Sequence, residues 1–348
     1  MRYPFRLIFD SAKYLAPHKL RGERKFAAVL TLDPLGGCTS SGCGGSNGGN
    51  EQAASPRGTP LSVEQCLAAM EECDTPVVAI RGGEPLEYEH IAELTRAILD
   101  RGKHVFLCTD GTLIRRHLHM IPPVTNFFWN VKLDGTEAVH DSRAGKPGQF
   151  AEALDGVKAA KNAGFFVVVT STICPESDVR DLAALYARLH DMHVDGYMPV
   201  PVYPPGKVCR EGSAKFHEEM HRRFAEISDS LSDYNLLVSP VYLEYLRGER
   251  ELDCSVWGSP VYGPGGWAGP CYLLGCNLEK SYKALLEKTL WENYGRGMNP
   301  RCETCSCPAG FETAALLGVN RKAEDIWRML AWQFGGGLGE KRESVRKP

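Results

Sequence analysis

The sequence predicts an α/β protein whose larger part is a partial (β/α)6 barrel, TIM-like in type, followed by a small cysteine-rich module. Between residues 26 and 204, short β-rich apolar runs alternate with longer stretches of helical periodicity, which is typical of successive βα units around a parallel sheet. Residues 253–307 are instead rich in Gly, Pro, Trp and Cys. With 348 residues, 43% hydrophobic and 24% charged, the chain can bury a sizeable core.

The elements follow from local patterns. Ser62 and Gln65 have the spacing of a capping box, which opens a helix toward Cys73. Further helices are predicted at 88–100, 150–162 and 179–189, and beyond the barrel at 215–231 and 242–246. The six predicted strands are 27–32, 76–81, 104–109, 127–133, 165–172 and 196–202.

We expect four parts along the chain. Residues 1–25 form a basic amphipathic segment, 26–204 the barrel, 205–334 a helical and cysteine-rich module, and 335–348 a flexible charged tail. The first segment carries seven Lys or Arg and lacks the apolar region of a signal peptide. It either lies on an anionic membrane surface, as a possible peripheral contact, or packs under the barrel.

The charge balance argues against a dedicated nucleic-acid-binding protein. Forty Lys and Arg against 43 Asp and Glu give a formal net charge of −3, which provides no overall field for a polyanion. No apolar run approaches the roughly 18 to 20 residues of a membrane span. We expect a cytoplasmic protein with a small-molecule or lipid partner.

Thirteen cysteines are an odd number that cannot be wholly paired within one chain. In a reducing compartment such residues more often bind metal or do redox chemistry. Cys302-x2-Cys305 is a common metal-binding spacing, and Cys254 and Cys271 bring the thiolates to four, for zinc or for an iron–sulfur cluster; free core thiols are the alternative. The others show no ligand pattern: Cys66, Cys73, Cys108, Cys174 and Cys209, with Cys276 and Cys307 as spare donors.

Loops that leave the carboxyl ends of parallel strands gather at one rim, where chemistry is expected. His140 and Asp141, after the fourth strand, are either a hydrogen-bonded structural pair or a general base with its neighbour. Gly82 and Gly83 permit either a tight turn or close backbone approach to a ligand. Five of the six predicted strands are followed by a distinctive segment. In chain order, these are the glycine-rich run 36–50 with Cys38 and Cys43, Gly82-Gly83-Glu84-Pro85, Thr109-Asp110, Lys132 to Asp134, and 199–201.

The order of these motifs resembles the radical S-adenosylmethionine (radical SAM) superfamily, and most of all the adenosylhopene transferases of hopanoid biosynthesis. The resemblance covers nearly the whole chain. It is carried by Leu32-Asp33-Pro34-Leu35, Leu61-Ser62-Val63-Glu64, Gly82 to Leu86, Leu133-Asp134-Gly135 and Pro270-Cys271-Tyr272-Leu273-Leu274-Gly275.

The resemblance implies a [4Fe–4S] cluster held by three cysteines spaced C-x3-C-x2-C, with the fourth iron open to S-adenosylmethionine. Cys38 matches the first ligand, but Gly42 and Gly45 stand at the other two positions, with Cys43 between them. Either the loop shifts so that Cys43 and an oxygen or exogenous thiol complete the ligands, or both cysteines are remnants. The available hydroxyls are Ser40, Ser41 and Ser46.

The resemblance also implies where the cofactor binds. The backbone of Gly82 and Gly83 would approach its methionine moiety, Glu84 would face its ammonium, and Arg143 would clamp its carboxylate. The remaining implied contacts are Pro85, Thr109, Asp110 and Asp134.

By the same resemblance, the enzyme adds a 5′-deoxyadenosyl group to an apolar alkene such as a hopanoid side chain, using an electron donor such as flavodoxin or ferredoxin. A catalytically silent accessory protein and a non-radical transferase are the alternatives. A radical needs a dry apolar cavity. The aromatic and thioether side chains expected to line it are Phe127, Phe128, Trp129, Tyr197, Met198 and Tyr203.

Overall fold

The computed structural model describes residues 1–36, 59–203, 213–274, 277–318, 322 and 324–335. Six consecutive strands pair in parallel and in sequence order, which confirms the predicted partial barrel. Each lies within two residues of its predicted ends. The strands are β1 Val29–Leu32, β2 Val77–Ile80, β3 His104–Thr109, β4 Phe127–Lys132, β5 Phe166–Ile173 and β6 Gly196–Pro201.

Three short strands of the cysteine-rich module extend the same sheet, which the sequence did not predict. β7 (Val261–Gly263) runs parallel to β1, with Thr31 opposite Val261. β8 (Gly266–Gly269) and β9 (Asn277–Glu279) follow as antiparallel neighbours. The C-terminal module is therefore joined to the barrel through backbone pairing beside β1.

Helices cover the outer face of the barrel. The predicted capping box is present at α2, where the Ser62 hydroxyl accepts from the Gln65 N–H and the Gln65 side chain accepts from the Ser62 N–H. The barrel helices are α2 Val63–Cys73, α3 Ile91–Asp100, α4 Ile114–His117, α5 Glu137–Ala144, α6 Gln149–Asn162 and α7 Val179–Asp191, preceded by α1 Phe5–Leu20.

The helix α1 packs under the barrel, which is one of the two outcomes expected for the basic segment. Leu7 is buried against Val77 and Phe128 on the inner face of the sheet. Asp10 Oδ2 lies 2.9 Å from Nε2 of the buried His104. None of the helices in the described part of the chain combines the length and the apolar composition of a membrane span. The segment thus forms the floor of the barrel.

The C-terminal module is helical around its short strands. The buried Arg250 donates to both carboxylate oxygens of Asp325, at 3.0 and 2.9 Å, and so fixes the last helix. The helices of this module are α8 Ser213–Ser230, α9 Pro240–Leu246, α10 Tyr282–Lys288, α11 Pro308–Leu317 and α12 Asp325–Gln333.

The expected cavity lining is wrong for three of its six side chains. Phe127 and Trp129 of β4 face outward, because they belong to the core between the sheet and the outer helices. Phe128, between them in sequence, faces inward toward the floor. Tyr197 stacks on Tyr186 of α7, with ring centroids 4.4 Å apart, and also faces outward. Alternation along each strand therefore places these three side chains away from the barrel interior.

Candidate functional site

The exit loop of β2 approaches that of β1 so closely that only glycine fits between them. Gly82 has a φ of +103°, and a Cβ built there would lie 1.8 Å from Asp33 Oδ1. Gly83 has a φ of +57° and nothing within 4 Å of such a Cβ. The two glycines thus have different roles, since the first permits packing of two loops and the second leaves open space at the rim.

The carboxylate of Glu84 connects the exits of β2 and β3. Its Oε1 accepts from the Leu86 N–H at 3.0 Å and from the Thr109 hydroxyl at 2.8 Å. Its Oε2 accepts from the Asp110 N–H at 2.8 Å. Burial, and then the charge of Asp110, raises the pKa of Glu84 to about 7. The group is therefore close to half-protonated at neutral pH, and a nearby cation would favour its ionised form.

Asp110 holds its own loop and the start of α6. Its Oδ1 accepts from the Thr112 N–H at 2.9 Å and from the Thr112 hydroxyl at 2.8 Å. Its Oδ2 accepts from the Gln149 amide at 3.1 Å. Gln149 was not anticipated from the sequence, because it is far from the motifs and shows no pattern of its own.

Asp134 and Arg143 meet at one residue of β5. The Asp134 carboxylate accepts from the Thr172 N–H at 2.8 Å, and the Arg143 guanidinium donates to the Thr172 carbonyl at 2.8 Å and to the Ser177 hydroxyl at 3.0 Å. Lys132 Nζ lies 3.3 Å from the other oxygen of Asp134. These side chains therefore shape the rim between β4 and β5.

His140 has the environment of a structural residue. It is buried, and its Nδ1 accepts from the Asp134 N–H at 3.3 Å. Its Nε2 has no hydrogen-bond partner among the described residues, and burial lowers its pKa. Asp141 instead accepts from the Gly148 and Phe150 N–H groups. Of the two interpretations, the hydrogen-bonded structural one fits this geometry.

A polar layer lies inside the barrel above its apolar floor. The Thr170 hydroxyl donates to Asn130 Oδ1 at 2.6 Å, and Asn130 Nδ2 donates to Cys108 Sγ at 3.6 Å. Below them, Phe106 and Phe128 stack at 4.4 Å. Asn130 and Thr170 were not anticipated, although their polarity within apolar strands was a usable signal.

Five thiols of the C-terminal module line one cavity. The space between its walls amounts to about 510 Å³ when the part open to solvent is included. The four predicted thiols are all present, together with one of the two spare donors, while Cys276 lies outside the described residues. The five are Cys254, Cys271, Cys302, Cys305 and Cys307.

The surface of this thiol cavity is mostly apolar, but its lining includes groups that favour an anion. Arg296 and Arg301 line it, and so does the first turn of α11. A Cβ on Gly310 would lie 2.5 Å from Cys254 Sγ, so the sulfur rests directly on helix backbone. Helix N-termini and arginines both stabilise negative charge, and a metal group bound by several thiolates carries a net negative charge.

Burial raises the pKa of four of the cavity thiols. The pKa of Cys254 rises to about 12 and that of Cys271 to about 11, and the pKa values of Cys302 and Cys305 also rise. Neighbouring cysteines add to the effect at Cys254. A cation that ligates them would reverse this, because it stabilises the thiolate form.

The thiols are spread around the cavity and do not converge on one point. Across the described parts of the chain, no three His, Cys, Asp or Glu side chains are close enough to hold a single metal ion. Cys38 and Cys43, the predicted ligands of the barrel cluster, fall in residues 37–58, outside the described residues.

Family models match both parts of the chain. The model described as "Radical SAM superfamily" matches residues 38–189, and one described as "Domain of unknown function (DUF3463)" matches residues 203–329. Radical SAM proteins use S-adenosylmethionine and a [4Fe–4S] cluster.

Curated relatives are similar over part of the chain. The subtilosin biosynthesis protein AlbA of Bacillus subtilis is 25% identical over 269 residues, which are 73% of this chain and 59% of AlbA. An AdoMet-dependent heme synthase of Methanosarcina barkeri is 31% identical over 183 residues, 51% of this chain and 52% of the synthase. The chain thus spans between half and three-fifths of the length of these relatives.

A solved structure shares the fold. Streptococcus suis SuiB bound to precursor peptide SuiA superposes with a TM-score of 0.60 at 14% identity, covering 85% of this chain and 75% of SuiB. At that identity the likeness concerns the fold alone. Residues 38–189 of this chain are thus similar to the radical SAM superfamily.

Proposed function

We propose that this protein is a radical SAM enzyme that binds S-adenosylmethionine at the exits of β2 to β5. The observation that carries the proposal is the arrangement of Gly82, Gly83 and Glu84, tied to the β3 exit within the segment that matches the superfamily. When bound, the cluster and cofactor together supply a 5′-deoxyadenosyl radical. The protein's own part is to hold, orient and shield the reacting groups.

Each rim residue has a role in this proposal. The open space at Gly83 admits the methionine moiety, and Glu84 meets its ammonium with a carboxylate already oriented by three donors. Asp134 and Arg143 fix the rim at Thr172 beside the cofactor. Pro85, which starts a short 3₁₀ turn, Thr109 and Asp110 complete the cofactor site.

Cys38 and Cys43 would hold the barrel cluster. Two thiolates are fewer than the three that such a cluster takes in the family, so the loop must add another donor, with the hydroxyls of residues 40, 41 and 46 available. Reduction would come from a low-potential electron donor such as flavodoxin or ferredoxin.

The thiol cavity would hold a second iron–sulfur cluster through Cys254, Cys271, Cys302 and Cys305. The single zinc ion that the cysteine spacing also allowed does not fit thiols spread in this way. Support comes from the five thiols that line one cavity, and from the arginines and the helix N-terminus that favour a negative group. In a [4Fe–4S] cluster the thiolates bind to different iron atoms, so they lie farther apart than the ligands of a single metal ion. This wider spacing fits thiols that are spread around a cavity. We place the module that carries this site at residues 205–334, after a barrel at 26–204.

For the substrate, we propose an apolar alkene such as a hopanoid side chain, whose π bond would open as the 5′-deoxyadenosyl group adds to one carbon. The radical left on the other carbon would take up one electron from the same donor and one proton. The resemblance of the sequence supports this choice. The apolar floor formed by Leu7, Phe106 and Phe128 is consistent with it, because it excludes water from the barrel interior.

A second candidate function is a catalytically silent accessory protein that keeps the barrel and the thiol cavity. One observation favours it: only Cys38 and Cys43 lie in the loop where three cysteines are typical of the family. In that case cofactor cleavage would be absent while the C-terminal metal remains.

Reconstitution under anaerobic conditions separates the two candidates. Wild-type protein and the C38A/C43A variant are treated with iron and sulfide, reduced, and assayed for 5′-deoxyadenosine and for iron. We expect 5′-deoxyadenosine from the wild type only, and roughly four fewer iron atoms per chain in the variant. Equal iron in both proteins, with no 5′-deoxyadenosine from either, would identify the silent accessory protein. Incubation with an alkene then tests the transfer step.

A further inference from the structure

The side chain of Tyr272 connects the thiol cavity to the barrel rim. Its hydroxyl lies 3.3 Å from Cys307 Sγ. On the other side, the guanidinium carbon of Arg81 lies 5.0 Å from the centroid of the Tyr272 ring, within cation–π distance. One aromatic side chain thus contacts both parts of the protein.

Each end of this connection is next to a site. Arg81 directly precedes Gly82, and its N–H donates to the Leu32 carbonyl at 2.9 Å, so it belongs to the base of the β2 exit loop. Cys307 is buried, lines the thiol cavity and caps α11, where its carbonyl accepts from the Gly310 N–H. Tyr272 itself follows Cys271, another cavity thiol.

We propose that Tyr272 is a positioning residue that couples the thiol cavity to the cofactor loop of β2. Filling the cavity orders Cys271 and Cys307, which fixes Tyr272 and, through its ring, Arg81 and the loop at Gly82. The functional meaning of this coupling rests on the proposed function, since only a cofactor at the rim would benefit from it. Coupling of this kind is reciprocal, so changes at Arg81 also reach the cavity.

The two contacts can be separated by substitution. Tyr272→Phe keeps the ring under Arg81 and removes the hydroxyl at Cys307. Tyr272→Leu removes both. Tyr294→Phe is the matched control, because Tyr294 is another tyrosine of the cavity wall.

Backbone amide exchange of the full chain, without added metal or cofactor, tests the coupling itself. We expect Tyr272→Leu to accelerate exchange about fivefold both at residues 80–86 and at 305–311, and Tyr272→Phe to do so at 305–311 alone. Tyr294→Phe should leave residues 80–86 unchanged, and α7 should be unchanged in every variant. If residues 80–86 of the Tyr272→Leu variant exchange at the same rate as in the wild type, the proposal is wrong.

Tyr272→Leu could loosen the whole fold, in which case exchange in α7 would become faster as well. A variant at the other end of the contact then tests the coupling. Arg81→Met removes the cation and leaves Tyr272 in place. Faster exchange at 305–311 in this variant supports the coupling, and unchanged exchange there refutes it.

Cofactor affinity is measured separately, by anaerobic equilibrium dialysis with S-adenosylmethionine on reconstituted protein. We expect Tyr272→Leu to bind about fivefold more weakly than the wild type, with iron content unchanged. A wild-type protein that binds no S-adenosylmethionine contradicts the proposed function, whereas the exchange experiment still decides whether Tyr272 couples the two segments.

Discussion

The backbone N–H of Asp110 donates to the carboxylate of Glu84 at 2.8 Å, so the loops that follow β2 and β3 are held by one side chain. The same carboxylate accepts from Thr109 and from Leu86. Three donors fix its orientation before any ligand arrives, which reduces the reorganisation needed to bind a cation. Its burial meanwhile makes the charge costly, and this combination leads to a measurable pH dependence.

Glu84 should release a proton when a cationic cofactor binds near neutral pH. Its pKa of about 7 lies above the ordinary value of 4.5, mainly because of burial, and a cation favours the ionised form. We therefore expect S-adenosylmethionine affinity to rise between about pH 6 and pH 8 in the wild type. In Glu84→Gln the affinity should be lower and its pH dependence over this range should disappear. Calorimetry in buffers of different ionisation enthalpy measures the released proton directly; equal pH profiles for both proteins would contradict the assignment.

The raised pKa of Glu84 also bears on stability without cofactor. Between the unfolded value of 4.5 and the folded value of about 7, the folded state holds a proton that the unfolded state has lost. The contribution of Glu84 to folding stability therefore falls as pH rises through this window. Denaturation of wild type and Glu84→Gln across the same range isolates this contribution as the difference in slope.

Gly82→Ala should destabilise the fold much more than Gly83→Ala. An added Cβ at residue 82 meets the Asp33 carboxylate at 1.8 Å, whereas at residue 83 it meets nothing within 4 Å. Both positions have positive φ, so each substitution costs roughly 1 kcal/mol of backbone strain, and the clash adds about 1–3 kcal/mol at residue 82 alone. Urea denaturation gives both values, and equal losses would mean that the β1 and β2 exits are not packed as described.

Leu7→Ala should lower the free energy of unfolding by about 2–4 kcal/mol, because it removes a buried side chain between α1 and the sheet. Phe5→Ala on the same helix is the control, since Phe5 is 59% exposed and Leu7 only 6%. Its effect should stay within about 0.5 kcal/mol. If α1 were merely a surface segment, the two variants would unfold alike.

The metal content of the C302S/C305S variant shows how much of the bound metal belongs to the thiol cavity and how much to the barrel loop. We expect the variant to lose the metal of the cavity and to keep whatever Cys38 and Cys43 hold. Cys174→Ser is the control, because Cys174 is a partly exposed thiol beside Ser177 and does not line the cavity. Metal analysis after reconstitution provides the measurement, and a full complement in C302S/C305S would rule out these two ligands.

The sequence predicted the barrel well because its strands are apolar runs separated by helical periodicity, and β3 at His104–Thr109 agrees at both ends. It also predicted a common site for Cys254, Cys271, Cys302 and Cys305, and these thiols do line one cavity. Among the described residues, however, no three of them are close enough for the single metal ion of the predicted tetrahedral site. The predicted orientation of the β4 side chains was wrong because both faces of this strand are buried. No alternation of polar and apolar residues therefore indicates which of Phe127 and Phe128 points inward.

Other features depend on contacts that no local pattern records. The strand β7 has only three residues, Val261–Gly263, and is defined by pairing with β1, far away in sequence. Gln149 contacts Asp110, and Tyr272 contacts Arg81, only after the chain has folded. Such contacts need the three-dimensional arrangement, because neither residue type nor spacing distinguishes them from ordinary surface side chains.

The pairing of β7 with β1 has a consequence for any shortened form of this protein. The strand that leads into the Cys38 loop is flanked on both sides, by β2 and by β7. Truncation before residue 261 would turn β1 into an unprotected sheet edge, with unpaired backbone groups that invite association with another copy. Expression of residues 1–204 alone should therefore yield more aggregate than expression of the full chain.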